Sequence, residues 1–206
     1  MRSYVITLDN PKYSERLSRY YRDAPRIGGH HTIPFRGIIG ANYGFTTELT
    51  YDVDNPGENY HIGNGTIGGI LSHWMLWTML ESFNQQFGWD EPVMILEDDA
   101  VFRPDALPKI DSALKDLPPD WDILFPGSCC AQGRIRKTIR DGLYECWPLC
   151  SQCYIVQPKA LKPLIESNSL AWAPVDLQMY FKSFPSLNVF AMLPRVVDQV
   201  DTNFPD

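Results

Sequence analysis

Apolar positions along the chain fall into short blocks separated by polar turns, and their spacing changes from block to block. Ser3 to Leu8 is a short, largely apolar run that reads as a buried strand ending at Asp9. Asn10 is a good helix N-cap and Pro11 suits the first helical position. Tyr13, Leu17, Tyr20 and Tyr21 then recur at helical spacing. Residues 24–65 are rich in Gly, Asn and Pro, and there Thr32 to Arg36 is expected as a short strand and most of the rest as loop. Thr66 to Phe87 is expected as a helix. Ile67, Ile70, Leu71, Trp74, Trp77 and Thr78 share one face, and Met75, Leu76, Met79 and Leu80 cover much of the other. That pattern predicts a helix buried nearly all round, with Ser72 and His73 as its polar exceptions.

The sharpest change of character lies at Pro92 to Phe102. Val93-Met94-Ile95-Leu96 runs straight into Glu97-Asp98-Asp99, and Ala100-Val101-Phe102 follows. The apolar part predicts a buried strand over 92–97. Beyond it, Pro104 opens a helix to about Leu117, ended by Pro118-Pro119. Trp121 to Pro126 reads as a strand carrying Asp122, and the polar stretch 127–150 as a small hairpin around Gly142. Gln152 to Gln157 reads as a strand, Pro158 to Ser167 as a helix, and Ala173 to Phe184 as a helix bearing Asp176. Leu187 to Met192 is the last expected strand, and the Pro- and Asp-rich tail from Leu193 to Asp206 is expected to be irregular. Strands alternating with helices predict an α/β fold with a largely parallel sheet.

A chain of 206 residues suits one sizeable domain. The net charge of −7, without any basic block, argues against long nucleic acids and anionic membrane surfaces as partners, but leaves room for a single nucleotide. No run approaches the roughly 20 apolar residues of a membrane span. Met1 to Asp9 lacks the apolar stretch and cleavage site of a signal peptide. The expectation is a chain that starts near Met1 and is cytoplasmic. Cys129, Cys130, Cys146, Cys150 and Cys153 are then expected as reduced thiols. Zinc held by Cys146, Cys150 and Cys153 with Cys129 or Cys130 is an alternative, although that spacing matches no common zinc module. The adjacent pair His30-His31 would point in different directions on a regular element, which argues against a metal there, and His61 has no assigned role.

The acid triplet carries the chemistry. Unpaired carboxylates are too costly to bury, so these three must reach a mouth of the fold and meet a cation or a ligand. In open α/β sheets that mouth is the crevice at the carboxyl ends of the strands. On a continuing strand, Glu97 and Asp99 would share a face and Asp98 would oppose them. Oxygen ligands favour a hard divalent ion such as Mg²⁺ or Mn²⁺, with phosphate oxygens filling further positions. The plainer alternative is an acidic turn stabilised by the helix that starts near Pro104. Arg16 is either a surface charge or a cation near a ligand at the strand–helix junction. Ser72-His73 either bonds within the core or lines the crevice.

Taken in order, the first strand with Arg16, Gly63-x4-Gly68-x3-Ser72-His73, the Glu97-Asp98-Asp99 strand, Asp120-Trp121-Asp122, Pro174-Val175-Asp176 and Pro194 to Gln199 resemble glycosyltransferase family 25. This family includes bacterial lipooligosaccharide galactosyltransferases and collagen galactosyltransferase domains. The resemblance implies a single GT-A type, Rossmann-like domain, with a nucleotide-binding half over about 1–126 and an acceptor half over about 127–206. It implies inverting transfer of a hexose, galactose or glucose, from a UDP-sugar donor to a glycan or other hydroxyl acceptor, with Mn²⁺ or Mg²⁺. Asp99 would be the main metal ligand, and Asp98 and Glu97 would support it or touch the ribose. Thr7, Leu8 and Asp9 would flank the uridine with Arg16 nearby, and Ser72 and His73 would lie along the nucleotide-sugar. Inversion needs a base on the face opposite the leaving group, for which Asp176 is the candidate, with a helix cap as its plainer reading. Gln199 would approach the metal or diphosphate.

Two departures stand out. Asn10-Pro11 replaces the basic residue the family often shows, and the cysteine-bearing segment 127–153 does not map onto the family's pattern. The chain is also short for the family, which suggests a reduced acceptor region. Alternatives are a catalytically inactive sugar- or nucleotide-binding domain on the same fold, and a metal-dependent phosphohydrolase or nucleotidyltransferase. The phosphohydrolase reading would want its acids after the first strand, where the chain has Asp9-Asn10-Pro11.

Overall fold

The structure is a computed structural model and describes residues 1–8, 11–23, 32–43, 47–48, 61–129 and 135–200. Strand β1 (Arg2–Thr7) leads to helix α1 (Pro11–Asp23), β2 (Thr32–Arg36), and the two short strands β3 (Thr47–Glu48) and β4 (His61–Ile62). Next come the long helix α2 (Asn64–Phe87), β5 (Val93–Glu97), β6 (Ala100–Phe102), α3 (Ala106–Asp116) and β7 (Ile123–Cys129). The second half contains β8 (Ile135–Arg140), β9 (Leu143–Cys146), β10 (Leu149–Val156), α4 (Pro158–Ser167), α5 (Val175–Gln178), β11 (Val189–Met192) and β12 (Val197–Gln199).

Eight strands form one sheet in the order β2-β1-β5-β10-β7-β11-β9-β8. β1 runs parallel to β2 and β5, and β7 runs parallel to β11. β10 is antiparallel to both β5 and β7, and β9 is antiparallel to β11 and β8. Only β10 and β9 therefore run against the other six, which is the expected α/β domain with a mostly parallel sheet.

The sheet is covered on both faces, which explains why β5 shows no polar alternation. Val93 and Ile95 pack with Ile70, Trp77 and Leu80 of α2 and with Leu161 and Leu164 of α4. Met94 and Leu96 pack on the opposite face with Tyr20 of α1 and Ile110 and Ala113 of α3. Continuing that alternation puts Glu97 on the α2 face. The strand stops there, and Asp98 and Asp99 form a turn into β6. The expected alternation of the three acids on one strand is thus corrected: the charges leave the ladder where they can reach polar partners.

Several other expectations change. α2 is buried along a stripe that includes Ile67, Ile70, His73, Leu76, Trp77 and Leu80, not all round. Its outer side leaves Met75, Phe83 and Phe87 exposed, while α4, α5 and the 40–43 turn pack against other parts of it. Tyr21 of α1 likewise faces outward. The helix expected over 173–184 is α-helical only over Val175–Gln178, then widens into a π turn over Met179–Ser183 and a 3₁₀ turn over Phe184–Ser186. The tail is not irregular throughout, since β12 pairs antiparallel with β6. It is anchored by Asp198, whose Oδ1 accepts from Arg195 Nε at 2.7 Å and whose Oδ2 accepts from Arg103 Nε at 2.8 Å. The β8–β9 hairpin turns at Gly142 as expected, with φ of 79°.

The reduced-thiol expectation is overturned for one pair: Cys129 and Cys150 form a disulfide that joins the end of β7 to the start of β10. Cys146 and Cys153 are free and buried. They belong to cores on opposite faces of the sheet, so they cannot share a zinc ion. Cys130 and His30-His31 lie outside the described residues. Among the described residues, no helix is long and apolar enough to cross a membrane.

The start of α2 is set by backbone contact. A Cβ on Gly68 would lie 2.5 Å from the Ile38 carbonyl oxygen, and one on Gly40 would lie 1.8 Å from the Asn64 carbonyl oxygen. A Cβ on Gly69, one residue along, would meet nothing within 4 Å. Gly68→Ala should therefore destabilise by about 1–3 kcal/mol through overpacking. Gly69→Ala should be neutral or stabilise by up to about 1 kcal/mol through helix propensity. Urea unfolding of the two variants checks this, and equal effects would refute the close-packed entry.

Candidate active site

The carboxyl ends of β1 and β5, the start of β10 and the first turns of α2 and α5 surround a cavity of about 460 Å³. β10 contributes its amino end because it runs against its neighbours. Leu8, Arg16, Ser72, His73, Glu97 and Asp98 line the cavity, as do Asp176 and Gln199. The structure thus brings together most of the residues proposed from sequence. Thr7 lies buried just behind, where its carbonyl accepts the Gly37 N–H at 2.8 Å. Asp99 sits behind Asp98, and Asp9 lies outside the described residues.

The three acids meet different surroundings. Glu97 Oε1 accepts from Ser151 Oγ at 2.6 Å and lies 3.4 Å from His73 Nε2. Burial works to raise its pKa, but His73, Ser151 and Arg16 together outweigh it and hold the pKa below the ordinary value. Asp98 is buried, and burial pushes its pKa up against the opposing pull of the Thr7 hydroxyl and Arg16. Asp99 Oδ2 accepts from Gln199 Nε2 at 2.9 Å, while its Oδ1 is buried without a hydrogen-bond partner. Burial, followed by the charge of Glu97, raises the Asp99 pKa to about 6. Arg16 Nη1 stands 3.9 Å from Asp98 and 4.0 Å from Asp99, at the edge of the crevice.

Asp176 heads α5 and is held by backbone. Its Oδ2 accepts from the Cys150 N–H and its Oδ1 from the Leu177 N–H, both at 2.9 Å. Burial raises its pKa against those two bonds. The cap-like bond to Leu177 and the crevice position are both real. The two backbone bonds occupy one lone pair on each oxygen, and the residue borders the cavity.

Ser72 is committed to backbone, donating to the Gly68 carbonyl at 2.6 Å and accepting the Ile38 N–H at 2.7 Å. It fastens the 37–43 turn to α2 at the crevice wall. His73 is buried, with Nδ1 at 2.9 Å from Tyr154 Oη. Sequence reasoning missed Ser151, Tyr154 and the Cys150 N–H. Ser151 and Tyr154 lie in a mostly apolar strand with no distinguishing spacing, and a backbone donor carries no signal in residue type.

Among the described residues, no three His, Cys, Asp or Glu side chains are grouped to hold a metal ion by themselves. Asp98 and Asp99 nonetheless offer the donor chemistry of a hard divalent cation. Asp99 Oδ1 is an unpartnered buried acceptor, and burial, followed by the charge of Glu97, keeps its pKa raised. These two carboxylates fit an ion whose other positions are filled by ligand oxygens and water.

Residues 34–128 match the sequence model of glycosyltransferase family 25, described as an LPS biosynthesis protein. That segment contains Ser72, His73 and all three acids. The match bears out the resemblance to this family and the reading of the chain as a glycosyltransferase. No curated protein matches the sequence significantly. The fold is similar to that of a glycosyltransferase involved in glycosylation of the major capsid of PBCV-1. That structure is 12% identical, with 98% of this chain and 95% of that chain covered and a TM-score of 0.54. Looser similarities include a Drosophila β-1,4-galactosyltransferase 7 mutant complexed with manganese, UDP-Gal and xylobiose, at 10% identity, 98% and 71% coverage and a TM-score of 0.44. Another is an LgtC active-site mutant, at 11% identity, 98% and 88% coverage and a TM-score of 0.44.

The raised Asp99 pKa has a stability consequence. The native state holds this proton up to about pH 6, whereas the unfolded chain releases it near 3.8. The native state therefore binds more protons between these values, and stability falls as pH rises through that window. Asp99→Asn should stabilise the metal-free protein by about 1–2 kcal/mol at pH 7, with little difference at pH 4. Thermal unfolding at both pH values checks this, and a variant less stable at pH 7 would refute it.

Proposed function

We propose that the crevice binds a UDP-hexose with a divalent ion, Mn²⁺ or Mg²⁺, and transfers the hexose with inversion to a hydroxyl of a glycan acceptor. The observation that carries this reading is the arrangement of carboxylates around one cavity: Asp98 at the Arg16 side with Asp99 next to it, Asp176 at the α5 side, and Glu97 between them. Asp99, with Asp98, would hold the metal. When bound, the ion neutralises charge that develops on the leaving diphosphate. Arg16 supplies a second positive charge at that end, and Gln199 fixes the Asp99 carboxylate while its own side chain borders the cavity. Thr7, Leu8 and Asp9 at the end of β1 would meet the uridine.

At the other end, Asp176 acts as base. It accepts the acceptor's hydroxyl proton as that oxygen bonds to the anomeric carbon, and the bond from the anomeric carbon to the diphosphate oxygen breaks to release UDP. The two backbone N–H donors fix the carboxylate's direction, as an in-line attack requires. A group of this kind contributes roughly 10²–10⁴-fold.

Asp176→Asn should therefore lower transfer by roughly 10²–10⁴-fold while UDP affinity, read by calorimetry with Mn²⁺ present, changes by no more than about twofold. Full transfer activity in this variant would remove Asp176 as base. Asp99→Asn should abolish metal-stimulated UDP-sugar turnover. Inorganic phosphate as the product, in place of acceptor-dependent UDP release, would point to a phosphohydrolase and sink the transferase reading.

A further inference from the structure

Behind Glu97 lies a buried chain of hydrogen bonds whose direction is fixed at one end. Trp77 Nε1 is 2.7 Å from Tyr154 Oη, and both residues are fully buried. An indole nitrogen only donates, so the phenol oxygen accepts this bond. The phenol hydrogen is then left for His73 Nδ1, 2.9 Å away. That makes Nδ1 an acceptor and puts the ring hydrogen on Nε2, the nitrogen that faces Glu97 Oε1 at 3.4 Å. Ser151 Oγ donates to the same oxygen at 2.6 Å. One carboxylate oxygen is thus held from two sides. Among the described residues none hydrogen-bonds the other, Oε2, although the side chain borders the cavity.

The place of Glu97 in the crevice says what Oε2 can meet. Asp98 and Asp99 follow it at the cation end. On its other side, Cys150 N–H holds Asp176 while the adjacent Ser151 holds Glu97, so the two carboxylates hang from neighbouring residues of β10. Glu97 therefore lies between the diphosphate end and the base. An ionised carboxylate only accepts hydrogen bonds. It repels a diphosphate but suits the hydroxyls of a neutral sugar.

We infer that Glu97 binds the hydroxyls of the transferred hexose, and that Tyr154, oriented by Trp77, is a positioning residue that fixes His73 in the Nε2–H tautomer to hold Glu97. This assignment rests on the proposal that the crevice binds a nucleotide-sugar. Tyr154 touches no substrate and acts through two side chains.

The experiment has two arms. The first is ¹⁵N NMR of His73 in the wild-type protein and in Tyr154→Phe. The expected result is the Nε2–H tautomer in the wild type and a mixture in the variant. A wild-type ring carrying hydrogen on Nδ1, or doubly protonated near neutral pH, overturns the positioning role. The second compares calorimetric affinities for UDP, UDP-galactose and UDP-glucose with Mn²⁺ present. Glu97→Gln should lose about tenfold or more in affinity for its preferred UDP-hexose while UDP affinity holds within about twofold. Tyr154→Phe should move the same ratio in the same direction by a smaller factor. Equal weakening toward UDP and UDP-hexose would place Glu97 at the nucleotide and overturn the sugar assignment. Because Tyr154→Phe strands the Trp77 N–H in the core, the double variant Trp77→Phe/Tyr154→Phe, which leaves no stranded donor, gives the same test if the single variant folds poorly. A wild-type protein that binds neither UDP nor a UDP-hexose removes the nucleotide-sugar reading and the hexose assignment together. The tautomer arm still reports on Tyr154 independently.

Discussion

The constraint behind the whole site is the cost of putting carboxylates at the end of a strand that has no exposed face. Val93 to Leu96 are completely buried between helices on both sides of the sheet. The strand's register is therefore fixed, and the next three residues cannot retreat into solvent by sliding. Charge can be kept at such a place only with donors or cations close by. The fold meets this by ending the ladder at Glu97 and turning Asp98 and Asp99 away from it, and each acid finds a different set of partners.

Those differences separate the chemistry. Glu97 keeps strong donors, and its pKa is held down. Asp99 has one amide and an unpartnered oxygen, and its pKa is pushed up to about 6. Neighbouring carboxylates driven apart in this way take different roles. Glu97 is a preorganised anion, whereas Asp99 keeps a buried oxygen without a hydrogen-bond partner. The donors come from distant parts of the chain: His73 from α2, Ser151 from β10 and Gln199 from the tail strand β12. The glycine contacts at the start of α2, the reversed direction of β10 and the pairing of β12 with β6 all serve to bring those donors to one strand end.

Much of this was legible in the residues. The acid triplet and the strand that carries it stand out by type and position, Arg16 and Ser72-His73 carry two readings each, and Asp176 and Gln199 come from the family resemblance; all but the buried Asp99 border the cavity or belong to its wall. What escaped was whatever residue type does not mark. Tyr154 sits in a run of Cys153, Ile155 and Val156 and looks like core; it is core, with a hydroxyl that matters. The split of β5 between two cores appears only once both faces are seen to be covered. The β12 strand was hidden because its pairing rests on Asp198 with Arg103 and Arg195, charges that in sequence argue for an exposed tail. The disulfide was hidden because the spacing of five cysteines does not reveal which two meet.

That disulfide lies at a mechanically informative point. Cys150 has φ of 69°, a left-handed conformation that a side-chain-bearing residue rarely adopts and that typically costs about 1–2 kcal/mol. Such a conformation persists only when its surroundings over-determine it. Here the bond to Cys129 ties the residue to β7, and its own N–H is committed to Asp176. The next residue, Ser151, is committed to Glu97. The spacing between Glu97 and Asp176, which we propose face the sugar and serve as base, is therefore set by one peptide unit anchored in the sheet.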